Sequence, residues 1–333
     1  MKASGFFIIL GIVTLLAAAA DIFFGAVALP ANDVWAALAG NSGDDIVEFI
    51  VNEHRIPMTV CALLSGASLA VCGLMLQTAF RNPLAGPSIL GISSGASLGV
   101  AIILLAFGGS VSLGSASFGG QSAIIIAALL GSLLITAILS TISITVKNGL
   151  MLLIVGILVG YLTSSVTTLL SSLSSAEGVH GFVMWGMGSF SVLSLGQMPF
   201  YSILIALGLL YALSMAKPLN ILLLGDNYAR SLGIKTNSLK TQLLICTGFL
   251  TAIVTAYCGP IAFIGLASPH IVRLMAHTDN HWILMPGCML VGAAIAAICC
   301  VASVAFTANV IPINALTPIV GVPVILYVLL RKK

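Results

Sequence analysis

Charge is what this sequence has least of. Nine acidic and twelve basic side chains among 333 residues amount to 6%, where a soluble domain of this length carries about a quarter. So few charges cannot clothe a water-facing surface around a 59% apolar chain, so a soluble catalytic module is excluded. The chain also lacks a GxxxxGK[ST] phosphate loop, an HExxH or GxSxG motif and any CxxC pair. Nucleotide binding and common hydrolytic chemistries therefore have no carrier, and a disulfide or metal framework has none either. Seven cysteines stand in or beside apolar stretches and read as small buried hydrophobes.

What remains is long apolar runs. Mean hydropathy is +1.19, and a bilayer-spanning helix needs about 20 apolar residues. Ten runs fall near residues 5–29, 56–80, 88–107, 121–146, 150–173, 198–216, 240–258, 261–276, 283–306 and 316–330. The expectation is an all-α polytopic membrane protein of about ten spans, a single permease-like domain over 1–333. The first run is read as a span and not as a cleaved signal. With a cytoplasmic N-terminus, 11 of the 12 basic residues fall inside or at the inner boundary, leaving Arg55 outside. That bias is the positive-inside pattern, and it puts both termini in the cytoplasm. Residues 217–240 form the most polar inner loop, with Asp226–Leu232 read as a short helix stopped by Gly233.

Several side chains invite a functional reading. Gly91, Gly95 and Gly99 recur every four residues, a device for close helix approach that serves either internal packing or a moving interface. Ser164, Thr168, Ser171 and Ser175 place hydroxyls on one face of the fifth span. They either bond back to their own helix or line a watery pathway, the reading favoured here. His277, Asp279 and His281 alternate, with His270 nearby, but no converging set of ligands is evident. His270 follows Pro269 and is expected to donate to carbonyls that the proline frees. Asp21, the one acid well inside a span, is expected to reach the interface. An ion-coupled secondary carrier usually needs buried acids or broken helices at the midplane. It is the rival to a transporter powered by another chain.

Longer motifs narrow the choice. Arg55-Ile-Pro57, Arg81-Asn-Pro-Leu-Ala85 with Leu90–Ala96, Gly225–Ile234 and Gly259–Arg273 together resemble the iron-siderophore, haem and vitamin B12 permease family of ABC importers. The resemblance implies ten helices per subunit, a permease dimer, two separate cytoplasmic ATPases and an outer substrate-binding protein. It implies no cofactor on this chain, with ATP and Mg used by the ATPase. It gives Gly225, Asp226, Ala229, Arg230, Leu232 and Gly233 to ATPase coupling, and Lys147, Asn148 and Gly149 to a cytoplasmic gate. Arg55 falls at the family's docking position for the binding protein, and the fifth span at its pathway. Met58, Cys299, Ser303 and Val310–Asn314 depart from the family pattern, which implies docking less reliant on charge and leaves homodimer or heterodimer open.

Overall fold

The computed structural model describes residues 3–41, 43–113, 116–146, 149–305 and 310–331. Fifteen helices run through them. They are α1 (Ala3–Phe23), α2 (Ala31–Leu38), α3 (Asp45–Phe49), α4 (Ile56–Phe80), α5 (Ile92–Ala101), α6 (Gln121–Thr145), α7 (Gly149–Leu173) and α8 (Ala176–Gly186). After these come α9 (Met198–Ser214), α10 (Ala216–Leu223), α11 (Asp226–Ser231), α12 (Thr236–Cys258), α13 (Ile264–Ala276), α14 (His281–Ala305) and α15 (Ile313–Arg331). Wider π turns, Ile50–Arg55 and Ile102–Ala106, lead into α4 and out of α5. The sole sheet among the described residues is an antiparallel hairpin, β1 (Ser110–Leu113) with β2 (Ala116–Gly119).

Six of these helical stretches are long and apolar enough to cross a bilayer, and a seventh arises if α9 and α10, bent by 44°, form one span. Three shorter apolar helices, at Ile92–Ala106, Ile264–Ala276 and Ile313–Tyr327, complete the described set. Each of the ten expected runs coincides with one of these segments. Helices are the expected answer to lipid, because a helix satisfies its backbone hydrogen bonds within the segment.

α4 is the axis of the bundle. In the most apolar 18-residue stretch of the span it belongs to, 83% of residues are buried, against 17% for α7, because its sequence is stripped of bulk where other helices cross it. Gly66 lies so close to Gly292 of α14 that a Cβ on either would strike the other's carbonyl oxygen. A Cβ on Gly73 would strike the carbonyl oxygen of Gly265 of α13, and one on Gly265 would strike that of Leu69. Lipid tails are as apolar as leucine, so such helices associate through close van der Waals packing of small residues. The spaced glycines near α5 follow this logic within the chain. Gly95 and Gly99 abut the backbone of α6 at Gly131 and Ala127, and Gly91 abuts α7 at Gly156.

Candidate transport surfaces

At one end of the bundle, α10 and α11 replace the expected polar loop with packed structure. Ala216, Leu219 and Leu222 bury one side of α10. α11 begins after Gly225 (φ +119°) and gives way to Gly233 (φ +84°), a left-handed backbone region that glycine adopts at low cost. Ala229 is fully buried under α11, while Tyr228 and Leu232 are about half exposed. Asp226 holds the segment in place: Lys240 Nζ of α12 stands 2.6 Å from one carboxylate oxygen and Arg81 3.5 Å from the other. Arg81 also donates to the Leu222 carbonyl at 3.2 Å, and Arg230 Nε to Thr236 Oγ1 at 3.1 Å. The result is a knob beside a surface concavity of about 610 Å³, lined by Arg81, Leu224, Asp226 and Tyr228 among others. The motifs alone give Arg81 and Lys240 no such role. Asp226 and Lys240 are 14 residues apart, and no local pattern announces their pairing.

The same end carries the histidines, which go separate ways. His281 is buried and accepts or donates in two directions, to Asn220 Oδ1 of α10 at 2.8 Å and to Thr78 Oγ1 of α4 at 2.9 Å. Asn220 Nδ2 donates to Asn280, so its amide oxygen faces His281 and the imidazole Nδ1 carries the proton. Asp279 lies 3.5 Å from Arg273, and His277 adopts φ +50° at the end of α13. The His270 Nε2 contact runs to the Pro83 carbonyl, 3.0 Å away and beyond α4. Arg273 Nη1 donates to Gln77 Oε1 at 2.8 Å, tying α13 to α4 a second time.

The opposite end overturns two expectations. Arg55 is 2% exposed and so is not the surface cation that the residues suggested. The last carbonyls of a helix have no partner within it, and the guanidinium fork supplies donors. Arg55 reaches Ile22 O at 2.8 Å, Phe23 O at 3.0 Å and Val27 O at 2.6 Å, where α1 ends. Asp21 does not reach an interface either. It is fully buried, accepts from Thr59 Oγ1 at 2.8 Å, and interacts electrostatically with Arg55. The surface at this end is acidic, with Asp33, Asp44, Asp45, Glu48 and Glu53 exposed. Asn314, in a stretch noted only for its departure from a family pattern, donates to Gly186 O and Pro260 O. It thereby pins the start of α15 to the loops after α8 and α12.

On α7, Ser164 and Thr168 are exposed and Ser171 is half-buried, whereas Ser175 lies past the end of α7, exposed, and caps α8 by accepting from Gly178 N at 3.2 Å. Thr168 donates to the Ser164 carbonyl and Ser171 to that of Thr167, 3.0 and 2.9 Å away. Both return to their own helix. Leu169 and Leu173 are also exposed, so within one chain α7 is bare on both faces. α7 starts at Gly149; Lys147 and Asn148 of the expected gate lie outside the described residues.

Comparison with known proteins follows the same lines. The vitamin B12 import system permease protein BtuC of Salmonella arizonae is 35% identical over 285 residues, covering 85% of this chain and 84% of its own. The corresponding Escherichia coli protein is 35% identical over 305 residues, covering 91% and 90%. A solved transporter assigned to the metal-chelate ABC type, in an inward-facing conformation, superposes with a TM-score of 0.83 at 28% identity, covering 97% of this chain and 98% of that one. Residues 11–331 match the FecCD transport family, and with nearly the whole chain matched, this protein belongs to that family.

Proposed function

We propose that this permease forms the translocation pathway of an ABC importer for a bulky metal chelate, a ferric siderophore or a related haem or vitamin B12 compound. The observation that carries the reading is the α11 knob, a short helix braced from behind by Asp226, Lys240 and Arg81 with Tyr228 and Leu232 turned outward. An exposed apolar tip on a fixed base suits insertion into a groove of a partner protein, whereas a solvated loop needs no brace. The partner is a cytoplasmic ATPase, two copies of which hydrolyse ATP with Mg, and this chain binds no cofactor of its own. Two permease copies pair in the inner membrane of a bacterium, with an outer binding protein delivering the solute. Ser164, Thr168, Ser171 and Ser175 face the pathway between the copies, and Lys147, Asn148 and Gly149 form its inner gate. The metal chelate is cargo, so no resident metal site is required.

The 35% identity to vitamin B12 permeases makes cobalamin the first solute to assay. Vesicles holding the permease with its ATPase and binding protein are loaded with ATP and offered cobalamin, haem and a panel of ferric siderophores. Uptake of one class should require ATP and survive an uncoupler. Uptake that persists without ATP and collapses with the uncoupler would establish the ion-coupled carrier instead.

A further inference from the structure

Where α12 ends, two thiols meet that the transport reading does not use. Cys61 lies near the start of α4 and Cys258 is the last residue of α12. Their sulfurs are 3.3 Å apart, both are buried, and 197 residues of chain separate them. Ser65, one turn further along α4, stands 3.3 Å from Cys258 Sγ and 2.7 Å from the hydroxyl of Tyr201 on α9. When Tyr201 donates to Ser65, the Ser65 proton is free to point at Cys258 Sγ.

We propose that Cys61 and Cys258 are an oxidisable dithiol, a redox modification site whose disulfide cross-links the ends of α4 and α12. A disulfide bond is about 2.05 Å long, so the sulfurs need approach by only about 1.2 Å. The site's burial selects the oxidant: a hydroperoxide, small and uncharged, enters where a protein disulfide carrier cannot. The Cys258 thiolate attacks one peroxide oxygen. An S–O bond forms, the O–O bond breaks, and the departing hydroxide takes the proton Cys258 had released, giving water. Cys61 sulfur then attacks the resulting sulfenic sulfur. The S–S bond forms, the S–O bond breaks, and the hydroxyl leaves with the Cys61 proton as a second water. Two thiols lose two electrons and one peroxide becomes two waters. A small dithiol reverses the change by exchange.

Cys300 is the competing thiol, within electrostatic reach of both sulfurs. The test uses the full chain in lipid nanodiscs, titrated with hydrogen peroxide. Thiols are counted with a maleimide after denaturation, and unreduced peptides are mapped by mass spectrometry. The described cysteines are all free, so the count should fall from seven to five, with one new peptide joining Cys61 to Cys258, and dithiothreitol should restore seven. In Cys61→Ser, Cys258 should stop at a sulfenic acid that dimedone captures. A bridge from either sulfur to Cys300, the same two-thiol loss in Cys61→Ser, or seven thiols persisting while peroxide oxidises the methionines would each overturn the proposal. The wild-type map decides alone if the variant fails to fold.

Discussion

Arg55 illustrates how a single side chain changes meaning once its neighbours are known. An arginine at the head of an apolar run, after four acids, reads as a surface cation. In the fold it closes the open end of α1, donating to three carbonyls. Removing the guanidinium strands those acceptors away from water, at about 1–3 kcal/mol for an unsatisfied group, and leaves the buried Asp21 without its counter-charge. Arg55→Ala should therefore destabilise the permease by about 3 kcal/mol, read as a lower unfolding midpoint in detergent. Arg55→Lys should recover part of the loss, since one ammonium cannot span the same three oxygens. Equal midpoints for Arg55→Ala and wild type would remove the capping role. Asp21, Thr59 and Arg55 come from two helices whose pairing no local pattern records, which is why the sequence shows the charges and hides their partners.

At the scale of helices, close approach decides the architecture. A methyl group at Gly73 would enter the space of the Gly265 carbonyl, and backbone cannot move aside as a side chain does. Gly73→Ala should cost about 1–3 kcal/mol as an overpacked contact. Gly11→Ala, where a Cβ meets nothing within 4 Å, should leave the unfolding midpoint unchanged or raised; similar shifts for the two would contradict the packing account. α11 obeys a different balance. Partly exposed ion pairs contribute only about 0.2–1 kcal/mol, so Asp226→Asn should barely alter stability. It frees α11 from Lys240 and Arg81, however, and ATP-driven uptake in vesicles should fall steeply. Leu232→Glu should do the same by spoiling the apolar tip. Wild-type uptake in both variants would take α11 out of the mechanism. The length of α11 and its glycine stop were legible in the residues, because capping chemistry is local. The brace was not, because Arg81 arrives from a helix more than a hundred residues away.

For the whole molecule, α7 is the informative element. A helix with only 17% of its most apolar stretch buried, exposed on its hydroxyl face and its leucine face alike, must be covered by lipid, by water or by a second copy. In the assembled permease, single cysteines at Ser164, Thr168 and Ser175 in a cysteine-free background should react with water-soluble thiol reagents. Cysteines at Leu169 and Leu173 should stay protected; equal protection on both faces would return the stripe to plain packing, with its hydroxyls bonded to their own helix as Thr168 and Ser171 are here. The amino-acid sequence alone determined where the helices lie. Lipid requires each crossing segment to satisfy its own backbone, so ten apolar runs were bound to become ten helical segments whatever their packing. It also carried the motifs by which the family is known. Only the tertiary structure decided what the scarce polar groups do. Arg55 faces inward, His270 reaches Pro83 and Cys61 meets Cys258, because most buried polar groups take a partner and packing brings those partners from segments distant in the chain.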